Sequence, residues 1–178
     1  PFRPLCKALE SKLGPAAKTK AALAAHKRHA VGICVLPFAN MSGDPEQEYF
    51  SDGITEDIIT DLSKVSALSI VSRNTAFSFK GKSTELAQVS RQTKASHVLE
   101  GSVRKAGNRV RITAQLIDAA NDAHVWAERY DRDLNDIFAL QDEISEAIVK
   151  ALKLKLLPEE KKAIEQRGTE NVDAYNLY

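Results

Sequence analysis

Val31-Gly32-Ile33-Cys34-Val35-Leu36-Pro37-Phe38 is the stretch that decides the fold. It is short and almost wholly apolar, and Pro37 closes it. A strand covered on both faces reads this way, without the polar alternation of a half-exposed one. The nine residues that follow, 39–47, form a loop ending in a helix-start signature. Asp44 can cap, Pro45 suits the first helical position, and Gln47 completes a capping box. Phe50, Ile54, Ile58, Leu62 and Val65 then recur at helical spacing, so this strand is followed by a long amphipathic helix. The opposite face of that helix carries Asp52, Glu56, Asp57 and Asp61, which read as a solvated acidic surface.

A second short strand over residues 68–72 completes a strand–helix–strand unit of about 40 residues, as a parallel crossover requires. Residues 74–83 read as irregular, and residues 84–93 as a short helix with Leu86 and Val89 inward. From His97 the period falls to two. Strand 97–105, the turn Ala106-Gly107-Asn108 and strand 109–118 make a hairpin. Val110, Ile112, Ala114 and Leu116 face one way, and Arg109, Arg111, Thr113 and Gln115 the other. A second turn at 119–122 leads to strand 124–131, with His124, Trp126, Glu128 and Tyr130 on a common face. Asp133 is then placed to cap a last helix, whose inner face runs through Ile137, Phe138, Gln141, Ile144, Ile148, Ala151 and Leu152 until Pro158. The order β-α-β-α-β-β-β-α predicts an α/β domain: a mixed β-sheet of about five strands with helices packed on it.

Composition agrees. The chain has 178 residues and is 43% hydrophobic, enough to bury a core without disulfides or metals. Two cysteines in different settings, Cys6 and Cys34, make no framework and favour a reducing compartment. No apolar run approaches the roughly 18 residues of a membrane span, so no membrane partner is expected. The net charge of +1 hides a split. Residues 1–30 carry seven Lys/Arg against one acidic residue, and residues 31–178 carry 18 against 23. Residues 1–29, with Leu5, Leu9 and Leu13 before Gly14-Pro15 and an Ala/Lys-rich run after it, read as a basic linker. Residues 30–157 form the domain, and residues 158–178 read as a second linker with the start of another helix.

Most of the chain's candidate chemical motifs are incomplete. Gly81-Lys82-Ser83 matches the tail of a phosphate-binding loop, but Ala76 stands where its first Gly belongs. His26 and His29 lack the further ligands of a zinc site, and His97 and His124 open strands as ordinary residues do. Cys34 sits in an apolar run and reads as packing. No cofactor, metal or catalytic residue is expected. Residues 73–111 are basic, nine Lys/Arg against Glu85 and Glu100, and residues 118–146 are acidic, nine Asp/Glu against two Arg. The hairpin has no aromatic residues to stack bases, so nucleic acid is a poor partner. Protein partners, other domains of the same chain or a second copy fit the charge division better, with Arg104, Lys105, Arg109 and Arg111 as the candidate basic surface. The loop after the first strand is the candidate ligand or anion site, through Asn40, Ser42, Gly43 and Asp44, since ligands of open α/β sheets gather at strand carboxyl ends.

Several stretches together carry a family resemblance. They are residues 35–53 (VLPFANMSGDPEQEYFSDG), 98–104 (VLEGSVR), 109–118 (RVRITAQLID), 126–132 (WAERYDR) and 136–142 (DIFALQD). In this order they resemble the TolB amino-terminal-like domain found in bacterial class III adenylate/guanylate cyclases, and the resemblance spans residues 31–157. It implies a parent in which a cyclase domain precedes this module and tetratricopeptide repeats follow, the first of them opening at Asn171-Val172-Asp173-Ala174-Tyr175-Asn176-Leu177-Tyr178. It implies no cyclase residues here, because the family's metal-binding aspartates belong to the upstream domain. The expected role is a non-catalytic regulatory or interaction module in a cytoplasmic cyclic-nucleotide signalling protein. The alternatives are a small-ligand sensor built on the 40–44 loop, a cryptic enzyme, and a periplasmic sensor of a membrane-tethered transcription regulator.

Overall fold

In the computed structural model, residues 30–152 are described. The basic arm, Pro158 and the 171–178 pattern lie outside them. The strands are β1 (Val31–Val35), β2 (Ala39–Asn40), β3 (Leu68–Ile70), β4 (His97–Ala106), β5 (Arg109–Asp118) and β6 (Ala123–Asp133). The helices are α1 (Glu48–Ser63), α2 (Arg73–Phe77), α3 (Leu86–Thr93) and α4 (Ile137–Ala151), with single 3-10 turns at Pro45–Gln47 and Leu134–Asp136. One mixed, six-stranded sheet runs β3-β1-β4-β5-β6, and the two-residue β2 pairs with β4.

β1 is central, as its apolar composition predicts, and runs parallel to β3 (Val31 opposite Leu68) and to β4 (Ile33 opposite His97). Alternate side chains of β1 enter two cores, because successive residues of a strand point to opposite faces. Ile33 and Val35 join Phe50, Ile54, Ile58, Leu62, Ile137, Leu140, Ile144 and Ile148 beneath α1 and α4. Cys34 joins Ala76, Phe79, Val89 and Val98 beneath α2 and α3 on the other face. Pro37 ends β1, and the strand line resumes two residues later as β2. Gly101 makes this step possible. A Cβ there would stand 2.5–2.7 Å from three atoms of the buried Phe38 ring, so only glycine lets that ring lie on β4.

Four expectations need correction. Residues 74–83 are not irregular throughout: α2 occupies 73–77, with the Ser72 hydroxyl accepting from Thr75 N–H as its cap. The acidic face of α1 is not merely solvated. Asp61 is 3% exposed and pairs with Lys64, Glu56 takes Arg73, Asp52 takes Lys80, and Asp57 accepts from Gln141 of α4. Asp133 does not cap with its side chain, which instead meets Arg109 at 3.4 Å. His124 does not share a face with Trp126, Glu128 and Tyr130. A bulge between Leu116 and Ile117 sets Trp126 opposite Leu116 but His124 opposite Ile117, on the other side of the sheet.

Candidate functional site

The loop after β1 is held along its whole length. Leu36 N–H donates to Leu99 O (2.9 Å), Phe38 N–H to the buried Thr55 hydroxyl (3.0 Å), and Met41 N–H to Val103 O (2.7 Å). The candidate residues then bind one another. Asn40 donates from Nδ2 to Asp44 O at 2.8 Å and accepts Ser42 N–H on Oδ1 at 2.9 Å. Gly43 takes φ +78, which closes the turn. Asp44 Oδ1 accepts Glu46 N–H at 3.0 Å, so a carboxylate of the chain itself sits at this helix start, where the amides attract negative charge.

The structure divides the basic candidates into two pairs. Arg104 and Lys105 join the loop: Arg104 Nε donates to Met41 O at 3.2 Å, and Lys105 N–H donates to the Ser42 hydroxyl at 2.9 Å. The Lys105 ammonium also lies 5.0 Å from the Phe50 ring centroid, close enough for a cation–π contact. Arg109 and Arg111 point instead to β6. Arg111 Nε reaches Asp131 Oδ1 at 2.6 Å and Arg109 reaches Asp133. The hydrogen bond from Arg111 holds the Asp131 carboxyl below its ordinary range. Loop 40–44 and residues 104–105 therefore form one continuous patch, 63 residues apart in the chain.

Beside this patch, on the α2–α3 face, lies a groove of about 400 Å³ that the sequence did not disclose. Leu36, Pro37 and Ala39 line it from the carboxyl end of β1, Glu100 and Ser102 from β4, and Thr113 and Gln115 from β5. Gly81, Lys82 and Thr84 also line it, so the Gly-Lys tail that failed as a phosphate-loop motif borders this groove. Lys80 also lines it. Its burial opposes the charge, but Asp52 at 2.6 Å and Glu48 at 2.9 Å outweigh that and raise its pKa. Cys34 is the reverse case: burial alone pushes its thiol up to about 11, which makes it inert packing and no nucleophile. Among the described residues, no three His, Cys, Asp or Glu side chains group as a metal site.

Residues 29–147 match the family model of the HilA/YgeH-like transcriptional regulator, second domain. The chain belongs to this family. A Rhizobium meliloti (strain 1021) protein named "Putative adenylate cyclase 3" is 59% identical over 145 residues, which are 82% of this chain and 25% of that protein. The chain thus spans about a quarter of that relative's length. Two solved structures share the fold. TolB from Acinetobacter baumannii superposes with a TM-score of 0.52 at 21% identity, over 69% of this chain and 28% of TolB. Lipoprotein GNA1162 from Neisseria meningitidis superposes with 0.50 at 18% identity, over 71% of this chain and 99% of the lipoprotein. This HilA/YgeH-like second domain therefore has a TolB-like α/β fold. None of its described helices is long and apolar enough to cross a membrane.

Proposed function

We propose that this domain is a non-catalytic regulatory module in an adenylate cyclase-like signalling protein, between a cyclase output domain and tetratricopeptide repeats. One observation carries the reading. The same domain type occurs as the second domain of transcriptional regulators and, at 59% identity, in a protein named as a cyclase. A unit that keeps company with two unrelated outputs supplies what the two have in common, which is control, and not either chemistry. The patch formed by the 40–44 loop with Arg104 and Lys105 is its contact surface for a protein or a neighbouring domain. The test uses the full-length protein. R104E/K105E should change its cyclic-nucleotide output while its folding is retained, and the 178-residue chain alone should form no cyclic nucleotide. Formation by the chain alone, or unchanged output in the variant, defeats the proposal.

A second reading, small-ligand sensing, is favoured by the groove at the carboxyl end of β1, where open α/β sheets bind ligands. A thermal-shift screen against nucleotides and acidic metabolites decides it. Stabilisation that K82A removes supports sensing, and no stabilisation by any of them rejects it. A third reading, a periplasmic sensor of a membrane-tethered regulator, draws on the transcriptional-regulator family. Fractionating cells for the full-length protein separates it from a cytoplasmic cyclase.

A further inference from the structure

The sheet ends at β6, an eleven-residue strand that pairs with β5 and, among the described residues, with nothing on its other side. Unpaired strand edges are templates for further pairing, and proteins commonly guard them with charge. We propose that β6 pairs antiparallel with β6 of a second copy of this chain, centred on Tyr130, so that the two sheets become one.

The order of charges about that centre specifies both the partner and the register. Residues 128–132 read Glu, Arg, Tyr, Asp, Arg. With Tyr130 opposite Tyr130, Arg129 faces Asp131 of the partner and Glu128 faces Arg132 of the partner. The two-fold axis repeats both, giving four opposite-charge pairs and no like-charge pair. Directly opposite side chains in an antiparallel ladder are close enough for such pairs to count. Neighbouring registers fail. A slip of one residue sets Glu128 against Asp131, or Arg129 against Arg132. A slip of two sets Arg129 or Asp131 against itself. A merely protective edge needs charge of any sign, whereas this edge has signs reversed across one residue, which attracts its own copy and selects the register.

The geometry is compatible. Residues 127–133, the span that this register pairs, lie beyond the bulge in an uninterrupted ladder with β5. Facing residues have equal parity, so both copies keep their helices on one side of the joined sheet. Glu128, Arg129 and Asp131 are exposed and Arg132 half-exposed. The bonds they already make leave capacity: Tyr130 O–H occupies one oxygen of Glu128, Arg111 one oxygen of Asp131, and Arg132 holds Glu143 through Nη2 and the Asp131 carbonyl through Nη1.

Sedimentation velocity on the 178-residue chain tests this. A concentration-dependent dimer of twice 19.6 kDa is expected, weaker in high salt. R129E replaces two attractive pairs by two repulsive ones and should weaken the dimer about 30-fold. Arg129 is exposed, so at concentrations where both chains are monomeric the melting temperature should hold. D131R should weaken the dimer similarly, and an equimolar mixture of R129E and D131R should dimerise again, because each then supplies the sign the other lacks. A monomer at all concentrations, a dimer that R129E leaves intact, or a mixture of folded variants that stays monomeric overturns the proposal. If D131R does not fold, the R129E result alone decides.

Discussion

Gly101→Ala offers a sharp test of how β2, β4 and Phe38 fit together. Replacing glycine by alanine inside a strand ordinarily gains about 0.5–1 kcal/mol, because the unfolded chain loses freedom. Here the added Cβ would meet the Phe38 ring at 2.5, 2.6 and 2.7 Å, about 0.9 Å inside ordinary contact at the closest atom. The ring cannot swing into solvent, being 1% exposed, and its backbone is tied by Phe38 N–H to the Thr55 hydroxyl. Overpacking of a tight core costs about 1–3 kcal/mol, and three simultaneous contacts place this case at the upper end. The net loss should be about 2 kcal/mol, read in urea as a lower midpoint at unchanged slope. Phe38→Leu alone should also destabilise, by leaving a void, but in the G101A background it should relieve the clash. The double variant should therefore be about 1–2 kcal/mol more stable than the two losses added together. Strict additivity, or a G101A protein as stable as the parent, refutes the reasoning.

Three further outcomes are expected. Thr55→Val keeps the shape but leaves Phe38 N–H unpaired in the core, so it should cost about 1–3 kcal/mol, while Thr55→Ser should retain most of the stability. The Asp131 carboxyl has a lowered folded-state pKa, so its pairing with Arg111 contributes stability above the unfolded pKa and loses it as pH falls through the folded one; NMR titration should find that pKa low in the native chain and returned toward normal in R111A. In a Cys6→Ser background, Cys34 should resist thiol reagents until unfolded, and labelling at a free-thiol rate would contradict its burial.

What the sequence disclosed follows the reach of each signal. The apolar run of β1, the inner faces of α1 and α4, and the β4–β5 hairpin rest on local periodicity, and the structure keeps each of them in place. α2 escaped because five residues are too few to show a helical period, although Ser72 three residues before Thr75 was a legible cap. The Phe38–Gly101 contact joins positions 63 residues apart and leaves no periodic trace. The 400 Å³ groove escaped for the same reason, being assembled from β1, β4, β5 and the α2–α3 connection. The candidate loop was visible as a helix start, but not its joining with Arg104 and Lys105, which follows from β2 pairing alongside β4.

The bulge in β6 is the smallest feature with the widest consequences. Without it, the pairing of Asp118 with Ala123 would propagate along the hairpin one residue out of step, and Val125, Ala127 and Arg129 would face the core. The extra residue at Val125 turns Trp126 and Tyr130 inward instead. By the same shift it sets Asp131 opposite Arg111 and Asp133 opposite Arg109, the two pairs in which these basic side chains of β5 end. It also leaves Glu128, Arg129, Asp131 and Arg132 in regular ladder geometry on the free edge. A single inserted residue thus decides both the charge pairs made across β5 and β6 and the order of charges along the free edge. The near-neutral total of the chain conceals both outcomes, since a sum carries no information about register.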